Sequence, residues 1–186
     1  MRLIPIPREA RHLLDDGEEI LTWETAQPAL GEDRRGKTGR PRVVAKVHWN
    51  LFRYLNPLNW DSPPIEFEDG VAARWVGGVM VAGEAHGLAA TLHDAFATTE
   101  PGAAVMATSR RLLVASSAIG RDPAVVQSVS LAEVSDARWR PRPLMAGRIV
   151  VGFADGSRLA LMCGMIFPFA ARRLRQAIRS ARSVTP

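Results

Sequence analysis

The amino-acid sequence predicts an α+β chain whose second half consists of antiparallel strands followed by one amphipathic helix. From residue 103 onward, short apolar segments alternate with turn residues, which is the pattern of paired strands. A period of 3.6 residues then appears near the C-terminus, which is typical of a helix. With 186 residues, 47% of them hydrophobic and 23% charged, the chain can bury one core of ordinary size. We therefore expect a single domain over residues 1–186.

The first half carries weaker signals. It begins with a predicted short helix over residues 7–14 and a strand over residues 18–26. Residues 27–41 contain three glycines, two prolines and a cluster of charges, which indicates a loop. A strand followed by a helix from about residue 85 is predicted within residues 71–98. We expect the region 27–100 to form a largely helical insertion.

Residues 41–55 are predicted to be the main helix of this insertion, because Pro41 suits a first turn and Asn56-Pro57 ends a helix. Its apolar arc is very wide and leaves only a narrow polar strip. One interpretation is a helix buried against the rest of the domain. The other is an interfacial helix on a membrane, with Trp49 and Trp60 at the level of the lipid headgroups.

Six strands are predicted between residues 103 and 163, and four of them form two hairpins. The first hairpin pairs residues 103–108 with 111–116 around Ser109-Arg110, and strands over 125–130 and 135–140 follow. The second pairs residues 148–153 with 157–163. A three-residue turn, with Gly156 in the left-handed conformation, opposes Val151 to Leu159 and gathers the apolar side chains on one face. Burial favours this register over the two-residue alternative.

The terminal helix is predicted over residues 167–182, with Pro168 near its first turn. One stripe has the spacing of a buried face: Phe167, Ala170, Ala171, Leu174, Ile178 and Ala181. The other side carries arginines, which we expect to face solvent: Arg172, Arg173, Arg175, Arg179 and Arg182.

Two short motifs occur in order along the strands. The first has the form Thr-x-Arg-Arg-Leu and the second Phe-x-Asp-Gly-Ser, at Thr108, Arg110, Arg111, Leu112, Phe153, Asp155, Gly156 and Ser157. With the terminal helix, this order resembles the bacterial PH-like (pleckstrin-homology-like, GRAM-related) families over residues 103–182. The resemblance implies an antiparallel split β-barrel, with residues 18–26 as its first strand, capped by the C-terminal helix. It also implies binding rather than catalysis, and residues 27–100 depart from it as a long insertion.

The sequence contains no residue pattern typical of a catalytic site, a metal site or a cofactor site. The single cysteine, Cys163, excludes an intramolecular disulfide and is predicted to be a small core residue. The four histidines are scattered without metal-ligand spacing, and no G-x-S-x-G elbow is present. We expect a protein that is not an enzyme and that holds no metal and no cofactor.

One motif points the other way, because residues 31–38 match the P-loop pattern G-x-x-x-x-G-K-[ST]. A P-loop follows a buried strand directly and opens a helix, whereas Gln27-Pro28 precedes this segment and Gly39-Arg40-Pro41 follows it. Glu32 and Asp33 would also place negative charge inside the phosphate cradle. Nucleotide hydrolysis therefore ranks below a solvated loop.

The sequence is basic, with a formal net charge of +5, and contains 24 lysines and arginines. Residues 34–46 could contact the phosphates of nucleic acid or of anionic lipid. The candidate contact residues are Arg34, Arg35, Lys37, Arg40, Arg42, Trp49 and Trp60.

We expect a binding module for a protein partner or an anionic membrane surface. Self-association is a further option, and nucleic-acid binding through residues 34–46 is the alternative. Residues 1–11 have two prolines and no apolar run, and no segment reaches the roughly 20 apolar residues of a membrane span. A cytoplasmic location, at most peripheral to the membrane, is therefore expected.

Overall fold

In the part of the chain that the structure describes, the fold consists of two larger sheets, one strand pair and two α-helices. The computed structural model describes residues 8–29, 31–36, 44–47, 65–68, 78–99, 103–116, 122–143, 145–164 and 167–184. In chain order its strands and helices are β1 (Ile20–Thr25), β2 (Gln27–Pro28), β3 (Glu32–Arg35), β4 (Val44–Val47), β5 (Ile65–Glu68), β6 (Val79–Gly83), α1 (Leu88–Thr98), β7 (Ala103–Thr108), β8 (Arg111–Ser116), β9 (Val125–Ser130), β10 (Val134–Trp139), β11 (Arg148–Phe153), β12 (Arg158–Met162) and α2 (Phe169–Val184). Two short 3-10 helices, Arg8–Leu13 and Leu131–Glu133, precede β1 and β10.

The first sheet is an antiparallel sheet of four strands in the order β1-β7-β8-β9. Its centre is formed by β7 and β8, whose residues are almost all buried because both faces are covered. The predicted hairpin around Ser109-Arg110 is confirmed, with Ala107 opposite Leu112. The predicted strand 18–26 is also confirmed and pairs with β7.

The second sheet has a meander of β10, β11 and β12 that the insertion extends. Strand β6 pairs antiparallel with part of β12, β3 pairs parallel with β6, and β2 pairs with the other end of β12. The predicted register of the second hairpin is confirmed, because Val151 lies opposite Leu159 and Gly156 has a φ of 80°. Both ladders of β11 are antiparallel.

Each helix packs against both sheets. Helix α1 contacts β9 of the first sheet and β6 and β12 of the second, while α2 contacts β1 and β10. Leu92 and Phe96 of α1 and Leu174 and Ile178 of α2 therefore belong to the same hydrophobic core. The described strands form two sheets and not a closed barrel. The expected α+β architecture with a C-terminal helix is confirmed, whereas the PH-like split barrel stays a prediction.

The expectation of a largely helical insertion is wrong in the described residues. Residues 44–47, inside the predicted helix 41–55, form β4 and pair antiparallel with β5. Residues 32–35, inside the predicted loop 27–41, form β3. The β-branched valines around residue 44 favour a strand once a partner is present, and that partner lies about twenty residues away in the chain. The predicted strand and helix after residue 71 are found as β6 and α1.

Candidate functional site

The two described residues of the predicted basic group lie in β3 and are paired with carboxylates. Arg34 donates from Nε to Glu32 at 2.9 Å. Arg35 bridges Asp33 and Asp94, with N–O distances of 2.7 and 2.6 Å. The hydrogen bond to Asp33 is the main reason why the pKa of Arg35 is raised. At these two positions, most of the positive charge that was predicted to bind an anion is thus already compensated by carboxylates.

The remaining members of the group lie outside the described residues: Lys37, Arg40, Arg42, Trp49 and Trp60. Because residues 32–35 and 44–47 are strands, the basic stretch 34–46 is not one continuous loop.

The P-loop lookalike has the backbone of a strand where a phosphate loop would need converging amides. The N–H of Glu32 donates to the carbonyl of Gly78 at 2.8 Å, and that of Gly36 donates to Gly83 at 2.9 Å. These donors serve the parallel β3–β6 pair. In a P-loop they would face the phosphates instead.

Thr108 and Arg111, from the first PH-like motif, hold the β7–β8 turn against the start of β1. The hydroxyl of Thr108 accepts the N–H groups of Arg110 and Arg111 and donates to Glu18 at 2.5 Å. Arg111 donates to both carboxylate oxygens of Glu18, at 3.0 and 2.5 Å. These motif residues are therefore structural.

Asp155 and Ser157, from the second motif, cap helix α1 from a distant part of the chain. The N–H of Leu88 donates to Asp155 Oδ2 at 2.8 Å, and the N–H of Ala89 donates to Ser157 Oγ at 3.1 Å. Gly87, the local N-cap residue, has no side chain for this role. The sequence identified the Asp155-Gly156 turn but gave no signal for the cap, because the helix lies about seventy residues earlier.

Three of the α2 arginines that were expected to face solvent also contact other elements. Arg172 and Arg182 are exposed as expected, whereas Arg173 is half-buried. Arg173 forms a bidentate ion pair with buried Glu24, at 2.6 and 2.8 Å. Arg172 lies 4.5 Å from the centre of the Trp139 ring, a cation–π contact. Arg182 donates to the carbonyl of Ser135. Two of these contacts tie α2 to β10, and the ion pair ties it to β1.

A second basic region, which the sequence analysis missed, lies at one end of the second sheet. There β10 ends, β11 begins, β12 ends and α2 begins. The loop 140–147 contacts the segment after β12 directly: the N–H of Cys163 donates to the carbonyl of Gly147 at 2.9 Å, and a side chain at Gly147 would collide with the carbonyl of Gly164. Two adjoining segments therefore present their side chains at the same end.

Five exposed side chains lie at this end: Arg140, Arg142, Phe167, Phe169 and Arg172. Arg140 pairs with Arg148 on the face of the second sheet opposite Trp139, and Arg142 lies against Gly78, whereas the other three belong to the start of α2 on the Trp139 side. The two phenylalanines are 64% and 58% exposed, and their rings stack at 5.9 Å with an interplanar angle of 16°. Arg172 lies one helical turn after Phe169. Neither contributing segment, 137–148 or 163–175, contains an acidic residue.

Arg148 lies close to Arg140 and Arg142 as a buried cation that has no carboxylate partner in the described part of the chain. It is 5% exposed, and it donates to the carbonyls of Val79 at 2.8 Å and Arg140 at 3.3 Å. Its Nε has no hydrogen-bond partner. Burial, with Arg142 and Arg140 nearby, lowers the pKa of Arg148 to about 10. The same end also holds buried Glu32, whose Oε2 accepts from Arg34 and whose Oε1 has no hydrogen-bond partner among the described residues.

The sequence does contain a signal for this basic region. Residues 137–186 carry ten arginines against one acidic residue, Asp155. This signal is easily missed, because four of these arginines belong to the β10–β11 region, and the wider range 57–163 that contains them has eleven acidic against nine basic residues. The exposure of Phe167 could not be predicted from the sequence, because its position fits the spacing of the apolar stripe that was expected to be buried.

Other classes of site have little support in the described part of the chain. It holds no group of three histidine, cysteine or carboxylate side chains suited to a metal ion. None of its helices combines the length and apolar character needed to cross a bilayer. Cys163 is fully buried, and burial raises the pKa of its thiol to about 12, which disfavours the nucleophilic thiolate.

Comparison with known proteins gives no indication of function. No family model matches the chain, and no curated protein matches its sequence.

Proposed function

We propose that the protein is a non-catalytic binding module of the PH-like type, which docks on a negatively charged partner through Arg140 and Arg142 at the end of its second sheet. The strand order supports the PH-like assignment. A four-stranded antiparallel sheet is followed by a three-stranded meander and a C-terminal helix packed on both. In this view β2 to β6 and α1 are additions to the basic plan.

The observation that carries the proposal is the concentration of uncompensated positive charge. Exposed Arg140 and Arg142 lie near buried Arg148, and none of the three pairs with a carboxylate of the residues that the structure describes. Burial of an unpaired cation raises the free energy of the folded state. An arginine with a purely structural role would be expected to have a carboxylate partner that offsets this cost. A bound anion would lower this cost, and anion binding at this end of the sheet would therefore be favourable.

The basic residues of β3 support docking less well. Arg34 and Arg35 already have carboxylate partners, so an anion would have to compete with Glu32, Asp33 and Asp94. We therefore place the primary contact at the end of the second sheet.

The proposal is tested by the salt concentration at which the protein elutes from a heparin column, used as a generic polyanion. The variant Arg140→Glu/Arg142→Glu should elute at clearly lower salt than wild type. Arg110→Glu/Arg158→Glu is the matched control, because it changes net charge equally at exposed positions away from this end of the second sheet. Equal losses in both variants would show that binding follows net charge alone and would contradict the proposed surface.

A further inference from the structure

Strand β9 (Val125–Ser130) forms an outer edge of the first sheet, because the strand order β1-β7-β8-β9 leaves it one neighbour. It contains no charged residue and no proline. Val125 and Val126 are 40% and 38% exposed, and they are two of the four large apolar side chains that the described part of the chain exposes. An exposed strand edge of this kind is a template for pairing with another chain, and proteins normally protect such edges.

The other edges of the two larger sheets are protected, as far as the structure describes them. Helix α2 packs against β1, where Arg173 binds Glu24. It also packs against β10, where Arg182 donates to the carbonyl of Ser135. The edge strand β3 consists of four charged residues. Because a helix over an edge and charges along it both prevent further pairing, β9 is the edge among these four that is open to a partner.

The pairing of β9 with β8 determines which of its backbone groups point outward. The N–H of Leu131 donates to the carbonyl of Arg110 at 2.8 Å, which marks a hydrogen-bonded pair at the end of the β8–β9 ladder. Because such pairs alternate along antiparallel strands, Val129 also bonds to β8, whereas the N–H and C=O groups of Ser128 and Ser130 point away from it. No hydrogen bond joins these outward groups to the described residues.

A two-fold axis beside Val129 would satisfy all of these outward groups at once. Ser128 of one copy then lies opposite Ser130 of the other, and each such pair exchanges two N–H···O=C bonds. The side chains that meet across the axis are serines, which are small and uncharged and can hydrogen-bond to one another. The β-bulge of β9 lies at its other end, between Val125 and Gln127, and leaves this segment regular.

We propose that the partner of this edge is a second copy of the same chain, held by antiparallel β9–β9 pairing that joins the two four-stranded sheets into one. A strand without charge cannot select a partner of opposite charge, whereas its own copy presents matching donors and acceptors by symmetry. The exposed valines beside the segment add apolar contact. This interface lies on the first sheet and is independent of the anion docking proposed for the second.

The first test is hydrogen exchange of the backbone amides of the wild-type chain, measured by NMR at about 20 µM and about 1 mM protein, a range suited to a short, transient interface. The N–H groups of Ser128 and Ser130 should exchange several-fold more slowly at the higher concentration, since a second copy provides them with acceptors. The N–H of Val129, which bonds to β8 within the chain, should be protected equally at both concentrations. Sedimentation equilibrium over the same range should show the mass rising towards twice that of the monomer.

The second test removes the outward donor. Ser128→Pro deletes one outward N–H per chain and thereby two hydrogen bonds of the dimer. An edge strand tolerates proline where the N–H faces solvent. The dissociation constant of the dimer should rise about tenfold. Ser128→Ala is the matched control, because it keeps the N–H and should dimerise like wild type.

A further variant covers the case in which Ser128→Pro does not fold, as judged by circular dichroism. Val126→Lys places a charge at the exposed edge without altering the backbone and should also weaken the dimer. Gln176→Lys, at an exposed position of α2, is its control and should leave the dimer unchanged.

The outcomes are distinct. A mass that stays monomeric at about 1 mM, with no added protection of Ser128 and Ser130, would overturn the self-pairing and leave the edge to a strand of a different protein. A dimer that persists in the folded Ser128→Pro and Val126→Lys variants would show that another surface forms it, and would equally refute the proposal. The heparin experiment is read separately, because Arg140 and Arg142 belong to the second sheet.

Discussion

Replacing Glu18 by glutamine should destabilise the fold in a way that depends on pH. The carboxylate accepts hydrogen bonds from Thr108, from Arg111 and from the N–H of Asp15. Burial alone would raise the pKa of Glu18, but the bonds from Arg111 and Thr108 outweigh it and lower the pKa to about 2. The glutamine variant keeps the size of the side chain and removes the charge that Arg111 requires.

The sign and size of the effect follow from this shift. A carboxyl whose pKa is depressed on folding adds stability above its unfolded pKa of 4.5, and this stability is lost as the pH falls through about 2. The shift corresponds to about 3 kcal/mol at neutral pH. Because Arg111 is 23% exposed and keeps Asp15 as a second partner, we expect a measured loss of about 2 kcal/mol in Glu18→Gln.

Urea unfolding at pH 7 and at about pH 3 measures the effect. The difference in unfolding free energy between wild type and Glu18→Gln should fall to about half at the lower pH, since the wild-type carboxylate then loses much of its advantage. Glu19→Gln is the matched control, because Glu19 is adjacent and exposed, and it should change stability little at either pH. A difference that does not change with pH would refute the argument.

Three further predictions concern the cap, the cysteine and the P-loop lookalike. Asp155→Ala and Ser157→Ala should each lower stability by about 1 kcal/mol through the lost cap of α1, seen as a lower melting temperature, whereas exposed Asp122→Ala should not; equal effects of all three would contradict the cap. Cys163 should react with a thiol reagent only at the rate of unfolding, because it is buried and its thiol pKa is raised to about 12; fast labelling of native protein would disprove this. Calorimetry should show no Mg-ATP binding to wild type or to Lys37→Ala, and micromolar binding that the variant loses would instead establish a nucleotide site.

The second half of the fold could be predicted from the sequence because its determinants are local. A hairpin register depends on a turn and on the residues that flank it, and for β11 and β12 the burial of Val151 and Leu159 on one face leaves a single solution. The helix α2 was predicted within two residues at each end from its apolar period and Pro168. Amphipathic patterns of this length outweigh local ambiguity.

Tertiary structure decided the insertion. Residues 44–47 lie within a helical apolar arc and also contain two β-branched residues, Val44 and Val47, and pairing with residues 65–68 selects the strand. Likewise, β3 forms because its backbone pairs with that of β6, which lies more than forty residues later in the chain. A partner that far along the chain leaves no periodic signal in either segment.

The candidate site divides in the same way. The sequence by itself determined that arginines dominate the C-terminal part and that no metal or nucleophile pattern is present. Only the tertiary structure decided which arginines remain available: it pairs Arg34, Arg35 and Arg173 with carboxylates, whereas Arg140, Arg142 and buried Arg148 have no such partner among the described residues. The physical reason is that charge compensation acts through space over a few ångströms, between side chains that can be far apart in the sequence.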